Sequence, residues 1–222
     1  MTITINHQNK NFKKTSSNLV LFVDEKFNIS HIKKFVSNDE YSYIADLIKT
    51  INSEKKLVVF ELNSKKKIIL ISIKKNYKAS DFESLGAEFY NRINYGKNSE
   101  YSISGDSIYI KVQNFLGYFL HGLKLKSYQF NKYKSKKQIR NIRINVFASK
   151  NKVSINDQKK FKALEEGTFY TRDLVSEPGN ILHPDEYARR LKLLSKFGLK
   201  INIYDNKKLK KLGMNALLGV GQ

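Results

Sequence analysis

Three strand-length apolar runs limit the fold more than any other feature of this chain: Leu19-Val20-Leu21-Phe22-Val23, Leu57-Val58-Val59-Phe60-Glu61-Leu62, and Ile68 to Ile73. Apolar runs this short, bounded by turn signals, suit buried strands. Asp24-Glu25 ends the first, and Ser64 with Lys65-Lys66-Lys67 makes a turn between the other two, most simply a solvated hairpin tip. Helical periods lie between and after these runs. Ser30 is placed to cap a helix carrying Ile32, Phe35 and Val36, and Tyr43, Ile44, Leu47, Ile48 and Ile51 follow the i, i+3, i+4, i+7 pattern. Ser80 and Glu83 have capping-box spacing at the head of a helix with Phe82, Leu85, Phe89 and Ile93 on one face, closed by Gly96. Tyr101, Ile103 and Ile108-Tyr109-Ile110 read as strand around a Gly105-Asp106 turn. Phe115 to Leu125 reads as an aromatic-rich helix, and Ile139 to Phe147 alternates as a half-exposed strand. Residues 1–17 are polar and basic, an edge strand or a loose arm. Strands alternating with helices predict a layered α/β domain over 1–150.

Beyond it, Ser154 and Asp157 start a long polar helix running towards Val175, a connector over 151–176. The chain's two prolines, Pro178 and Pro184, then mark its sharpest local break. Pro184 suits a first helical turn, where Asp185 and Glu186 complement the positive end of the helix. Tyr187, Leu191 and Leu194 share one face of that helix, and Gly198 stops it. Leu199, Ile201 and Ile203 alternate with polar neighbours and predict a half-buried strand. Asp205 is placed to cap a short helix ended by Gly213. Ala216-Leu217-Leu218-Gly219-Val220 reads as an apolar strand whose sheet partners are absent, which suggests a truncated second domain over 177–222.

Composition narrows the function classes. Zero Cys excludes disulfides, thiolate metal sites and a cysteine nucleophile. There is no apolar run long enough to span a membrane and no signal-peptide pattern, so cytoplasm is expected and no membrane partner. The net charge of +21 fits attraction to nucleic acid, or a lysine-rich chain with solvated faces. Charge alone gives only nonspecific affinity, which favours the second reading. Residues 107–156 hold eleven Lys or Arg and no acidic residue. There, Tyr128, Phe130 and Tyr133 interleave with Lys132, Lys134, Lys136 and Lys137, a composition able to contact phosphates and stack bases. The alternative, aromatics packed inward and lysines solvated, is preferred.

The four histidines, His7, His31, His121 and His183, are scattered, with no pair at metal-ligand spacing. His183 reads as a capping or surface residue and His121 as a half-buried helix residue. Gly219-Val220-Gly221 lacks the Lys and hydroxyl residue of a phosphate loop. Asp173 and Glu177 have a spacing compatible with paired carboxylates, although an ordinary polar face explains them as well. No catalytic residue and no metal ligand is named from this sequence.

The order of words near the end carries more. Thr171-Arg172-Asp173-Leu174-Val175, Glu177-Pro178-Gly179-Asn180, Pro184, Tyr187-Ala188, and Leu212-Gly213-Met214-Asn215-Ala216-Leu217-Leu218-Gly219-Val220-Gly221-Gln222 together closely resemble the leucyl (cytosol) aminopeptidases. A weaker likeness is Gly122-Leu123 with Ser127-Tyr128-Gln129-Phe130-Asn131-Lys132-Tyr133-Lys134, which looks like a segment late in that family's N-terminal domain. The resemblance implies a macro-domain-like sheet layered between helices, a connector helix, and the first α/β unit of the peptidase catalytic domain. It implies a metallo-exopeptidase acting on peptides, typically hexameric, with two divalent ions (manganese or zinc). Some bacterial members bind DNA. The family's ligands lie in Gly-Lys-Gly…Phe-Asp-x-Gly-Gly and Asn-Thr-Asp-Ala-Glu-Gly-Arg segments, and neither occurs in 1–222. The chain by itself is therefore expected to be inactive. A free-standing basic nucleic-acid-binding module is the alternative, and an ADP-ribose-type binder a weaker third.

Overall fold

The computed structural model describes residues 2–8, 18–51, 55–93, 99–107, 113–136 and 141–220, in two compact units, Met1–Phe169 and Tyr170–Gln222. In the first unit a six-stranded sheet has the order β1-β6-β5-β2-β4-β3. The strands are β1 (Thr2–Gln8), β2 (Asn18–Asp24), β3 (Leu57–Glu61), β4 (Lys67–Ile73), β5 (Ser99–Ser104) and β6 (Asn141–Phe147). All neighbours run parallel except the β3–β4 hairpin.

Sheet position explains why β2 is apolar throughout. Side chains alternate across a strand, and a central parallel strand is covered on both faces. Val20 and Phe22 enter one core with α2 (Ala79–Ile93) and α3 (Phe115–Lys126). Leu19, Leu21 and Val23 enter the other, beneath α1 (Asn38–Leu47) and the 3₁₀ turn Ser30–Lys34. Phe22 meets Phe115 and Phe119 edge-on, with ring centroids 5.2 and 5.3 Å apart. Burial of each such ring contributes about 1.5–3 kcal/mol. In β6, Ile142, Ile144 and Val146 face the core while Arg143 stays exposed, as the alternation predicts.

Helices α2 and α3 cross at glycines. A Cβ on Gly86 would lie 1.9 Å from the Phe119 carbonyl oxygen, and one on Gly122 would lie 2.0 Å from that of Glu83. Only residues without a side chain allow this separation. Two expected caps move. Ser30 lies inside a 3₁₀ turn instead of capping a helix, and the next helix, α1, opens on a capping box of Ser37 with Glu40. At α2 the Lys78 N–H donates to Asp81 at 2.8 Å, while Ser80 sits within the helix and Glu83 turns to His121. The hairpin tip is less solvated than expected, because Lys66 reaches Glu40 at 2.6 Å with both side chains about four-fifths covered.

Helix α4 (Ile155–Ser176) is the long polar helix, opened by Ser154 capping the Asp157 N–H at 3.0 Å. In the second unit α5 (Pro184–Lys192) continues as a 3₁₀ turn to Phe197, and Gly198 stops it in the left-handed region, φ 83°. Asp205 caps α6 (Asn206–Lys211) through the Lys208 N–H at 2.8 Å.

Two expectations fail here. Residues 199–204 form no strand, with Leu199 and Ile203 about half exposed. Ala216 to Val220 lies in a helix, α7 (Asn215–Val220). Both failures share a cause. A strand satisfies its backbone groups only through a neighbour, and none is present among the described residues of this unit. Ala216, Leu217 and Leu218 are good helix formers once a sheet does not claim them. Ile108-Tyr109-Ile110, Gly96, the start of the last alternating segment at Ile139, and Gly221-Gln222 lie outside the described residues.

Candidate functional site

In an open α/β sheet the favoured ligand crevice lies at the carboxyl ends of strands whose connections leave in opposite directions. Here that point falls between β2, which leads to β3 and β4 on one side, and β5, which leads to β6 on the other. Beside this point the chain bonds to itself. The Phe22 N–H donates to Ser107 Oγ at 2.8 Å, and the Ser107 hydroxyl donates to the Ser104 carbonyl at 2.7 Å. Ser107 is fully buried. On the β2 side Asp24 gathers a tight turn, accepting from the N–H groups of Lys26 and Asn28, and forces Phe27 to φ 53°. A buried phenylalanine in that region is unusual. It serves packing, since its ring lies in the core beneath α1.

Asp106, read from sequence as a turn residue only, does more. Its carboxylate accepts from the N–H groups of Ser149, Lys150 and Asn151 at 2.6, 3.0 and 3.0 Å, and from the Ser149 hydroxyl at 2.7 Å. Burial alone would raise its pKa, but these donors outweigh it and hold the group below its ordinary value. Asp106 is thereby a clasp between the end of β5 and the segment after β6. A single aspartate after a glycine carries no sequence signal for that role.

His121 is more buried than expected, 8% exposed. Nδ1 donates to Glu83 Oε1 at 2.9 Å, across the α2–α3 crossing. The cause is tertiary, since the two residues are far apart in sequence. His183 occupies the N-cap position of α5 without a capping hydrogen bond from its side chain and is a surface residue.

The basic strip runs through irregular backbone after α3. Lys132, Lys134 and Lys136 are exposed, and Lys137 lies outside the described residues. Tyr128 packs on Phe169 with ring centroids 5.2 Å apart, and Phe130 on Tyr133 at 5.7 Å. Packing therefore claims most of the aromatic surface, leaving Tyr133 half exposed.

In the second unit Glu177 partners Arg190 at 2.9 Å rather than pairing with Asp173. Arg190 also binds Glu186 at 2.8 Å, and Arg189 binds Glu186 through two nitrogens at 2.6 and 2.7 Å. Hydrogen bonds from Arg189 and then Arg190 pull the Glu186 pKa down to about 2. The Tyr170 hydroxyl donates to the Arg190 carbonyl at 3.1 Å. The Glu-Pro-Gly-Asn word thus ends α4 with a carboxylate that ties back to α5, a structural role. Among the described residues no three His, Cys, Asp or Glu side chains gather to hold a metal ion. A metal pair does not fit this set.

Comparison with known proteins gives one direction. Residues 169–222 match the model of the cytosol aminopeptidase family, catalytic domain. A probable cytosol aminopeptidase of Nitrobacter winogradskyi is 31% identical over 165 residues, covering 70% of this chain and 33% of that protein. One of Bradyrhizobium is 40% identical over 105 residues, covering 46% of this chain and 21% of that protein. The chain thus spans between about a fifth and a third of these relatives' length. In fold it is similar to a mutant tomato leucine aminopeptidase, with TM-score 0.68 and 16% identity over 96% of this chain and 46% of that one. It is also similar to the Coxiella burnetii cytosol aminopeptidase, with TM-score 0.60 and 15% identity over 93% of this chain and 41% of that one. The family model and the curated relatives converge on the leucyl (cytosol) aminopeptidase family, whose catalytic-domain model residues 169–222 match.

Proposed function

We propose that this chain is the N-terminal part of a leucyl aminopeptidase-like metallo-exopeptidase. In this reading 1–150 is an N-terminal α/β domain, 151–176 the connector helix and 177–222 the start of the peptidase catalytic domain. The match of 169–222 to the catalytic-domain model carries the reading. The parent protein would release N-terminal amino acids from peptides, with two divalent ions, manganese or zinc, polarising the scissile carbonyl and activating water. The residues present here gather no such ligand set, so no step of the reaction is assigned to them. Their contribution is placement. The Glu177–Arg190–Glu186 network fixes how α5 leaves the end of α4. The N-terminal domain would also serve assembly into a hexamer, and the setting would be cytoplasmic. No helix among the described residues is long and apolar enough to cross a membrane.

The test compares purified 1–222 with a form extended through the coding sequence beyond Gln222, on leucine anilide with added Mn²⁺. The extended form should release leucine in a chelator-sensitive way, and 1–222 should not. A metal-dependent rate from 1–222 overturns its inactivity, and an inert extended form overturns the peptidase reading. The comparisons offer nothing for a nucleic-acid role. The basic strip rests on the exposure of Lys132, Lys134 and Lys136 beside Tyr133 alone, and loss of a salt-sensitive DNA shift on neutralising those lysines would be its evidence.

A further inference from the structure

A cavity of about 410 Å³ lies among β1, α3 and the first half of α4, wholly within the first unit. That volume is in the range of small-ligand sites. Its apolar wall includes Ile5, Leu120, Val153 and Phe161. The lysines and glutamates of the lining neutralise one another. Lys124 donates to the Ile3 carbonyl at 3.0 Å and pairs with Glu165 at 3.2 Å, and Lys162 pairs with Glu166 at 3.8 Å. His7, also on the wall, is held below the ordinary imidazole pKa by burial and then by Lys152, and is neutral at pH 7.

Among the described residues one buried polar side-chain atom is left over. His121 lines the cavity, its ring 5.1 Å from that of Phe161. With Nδ1–H committed to Glu83, Nε2 of the imidazole form carries a lone pair, and that buried atom has no hydrogen-bond partner among the described residues. A buried acceptor without a donor has lost its hydration and gained nothing in exchange. A ligand that supplies the donor recovers this penalty, and a charged ligand would find the lining's lysines and glutamates already paired.

We propose that this cavity binds a small uncharged molecule with an aromatic or branched apolar body, whose hydroxyl or amide N–H donates to His121 Nε2. The test reads binding only. Phenol and anisole are the probes, since they share a ring and differ in whether the oxygen carries a proton. Each is titrated into the ¹⁵N-labelled chain at about pH 8, where phenol and imidazole are both largely neutral. Phenol should saturably shift the His121 Nε2 resonance and the amides of β1, α3 and α4. Anisole should bind at least about tenfold more weakly, the loss of one hydrogen bond. A His121→Leu variant that stays folded should bind the two probes equally. Equal affinity in the unaltered chain, shifts confined to other elements, or an Nε2 resonance that phenol does not move would each overturn the proposal. The last would mean that water alone satisfies the nitrogen.

Discussion

Alanine at position 86 tests the central packing claim, that α2 and α3 approach until their backbones touch. The new methyl would stand 1.9 Å from the Phe119 carbonyl oxygen, 2.8 Å from the Leu123 nitrogen and 2.9 Å from the Phe119 carbonyl carbon. These are backbone atoms of a packed helix, so no rotamer change relieves the clash. To restore ordinary contact the helices must part by roughly 1.5 Å, thinning the layer where Phe82, Phe89, Phe119 and Leu123 meet. Overpacking of this kind costs about 3 kcal/mol. Replacing a mid-helix glycine with alanine returns about 1 kcal/mol of helix propensity. The net loss is therefore about 2 kcal/mol, a large part of a domain's stability. Gly167→Ala supplies the control. It is also mid-helix, yet an added Cβ there meets nothing within 4 Å, so the same change should stabilise by about 0.5–1 kcal/mol. With two compact units present, the readout is amide exchange at β2 and β4, which reports the first unit alone. Opposite signs for the two variants are expected. A Gly86→Ala chain as protected as the unaltered one would refute the close approach.

Asp106→Asn keeps the shape but removes charge from the clasp, and should cost about 1–2 kcal/mol, read as faster exchange at Ser149, Lys150 and Asn151. The Glu186 carboxylate gives a pH dependence. Its folded pKa near 2 lies below its ordinary value, so its stabilisation is complete above that ordinary value and is lost as pH falls towards about 2. Protection of α5 should fall over that window, and Glu186→Gln should remove the dependence; an unchanged profile in the variant would assign it elsewhere. Arg190→Met leaves the covered Glu177 carboxylate without its guanidinium and should loosen α5, measured by the same exchange at neutral pH.

Sequence by itself determined the elements whose signal is local. The apolar runs of β2, β3 and β4 needed only their length and turn residues. The face of α2 needed only its period, and the Pro184 start and Gly198 stop needed only backbone stereochemistry. The order of words from Thr171 to Gln222 was enough to name the family, because it samples many independent positions. Tertiary structure decided what depends on a distant partner. Asp106 finds its donors more than forty residues away, and Glu83 is taken from a cap by His121. Gly86 and Gly122 matter only because another helix lies against them. Leu199 to Tyr204 and Ala216 to Val220 carried strand patterns that no neighbouring strand completes among the described residues. A period can offer a face for burial, but only a partner's backbone makes that segment a strand.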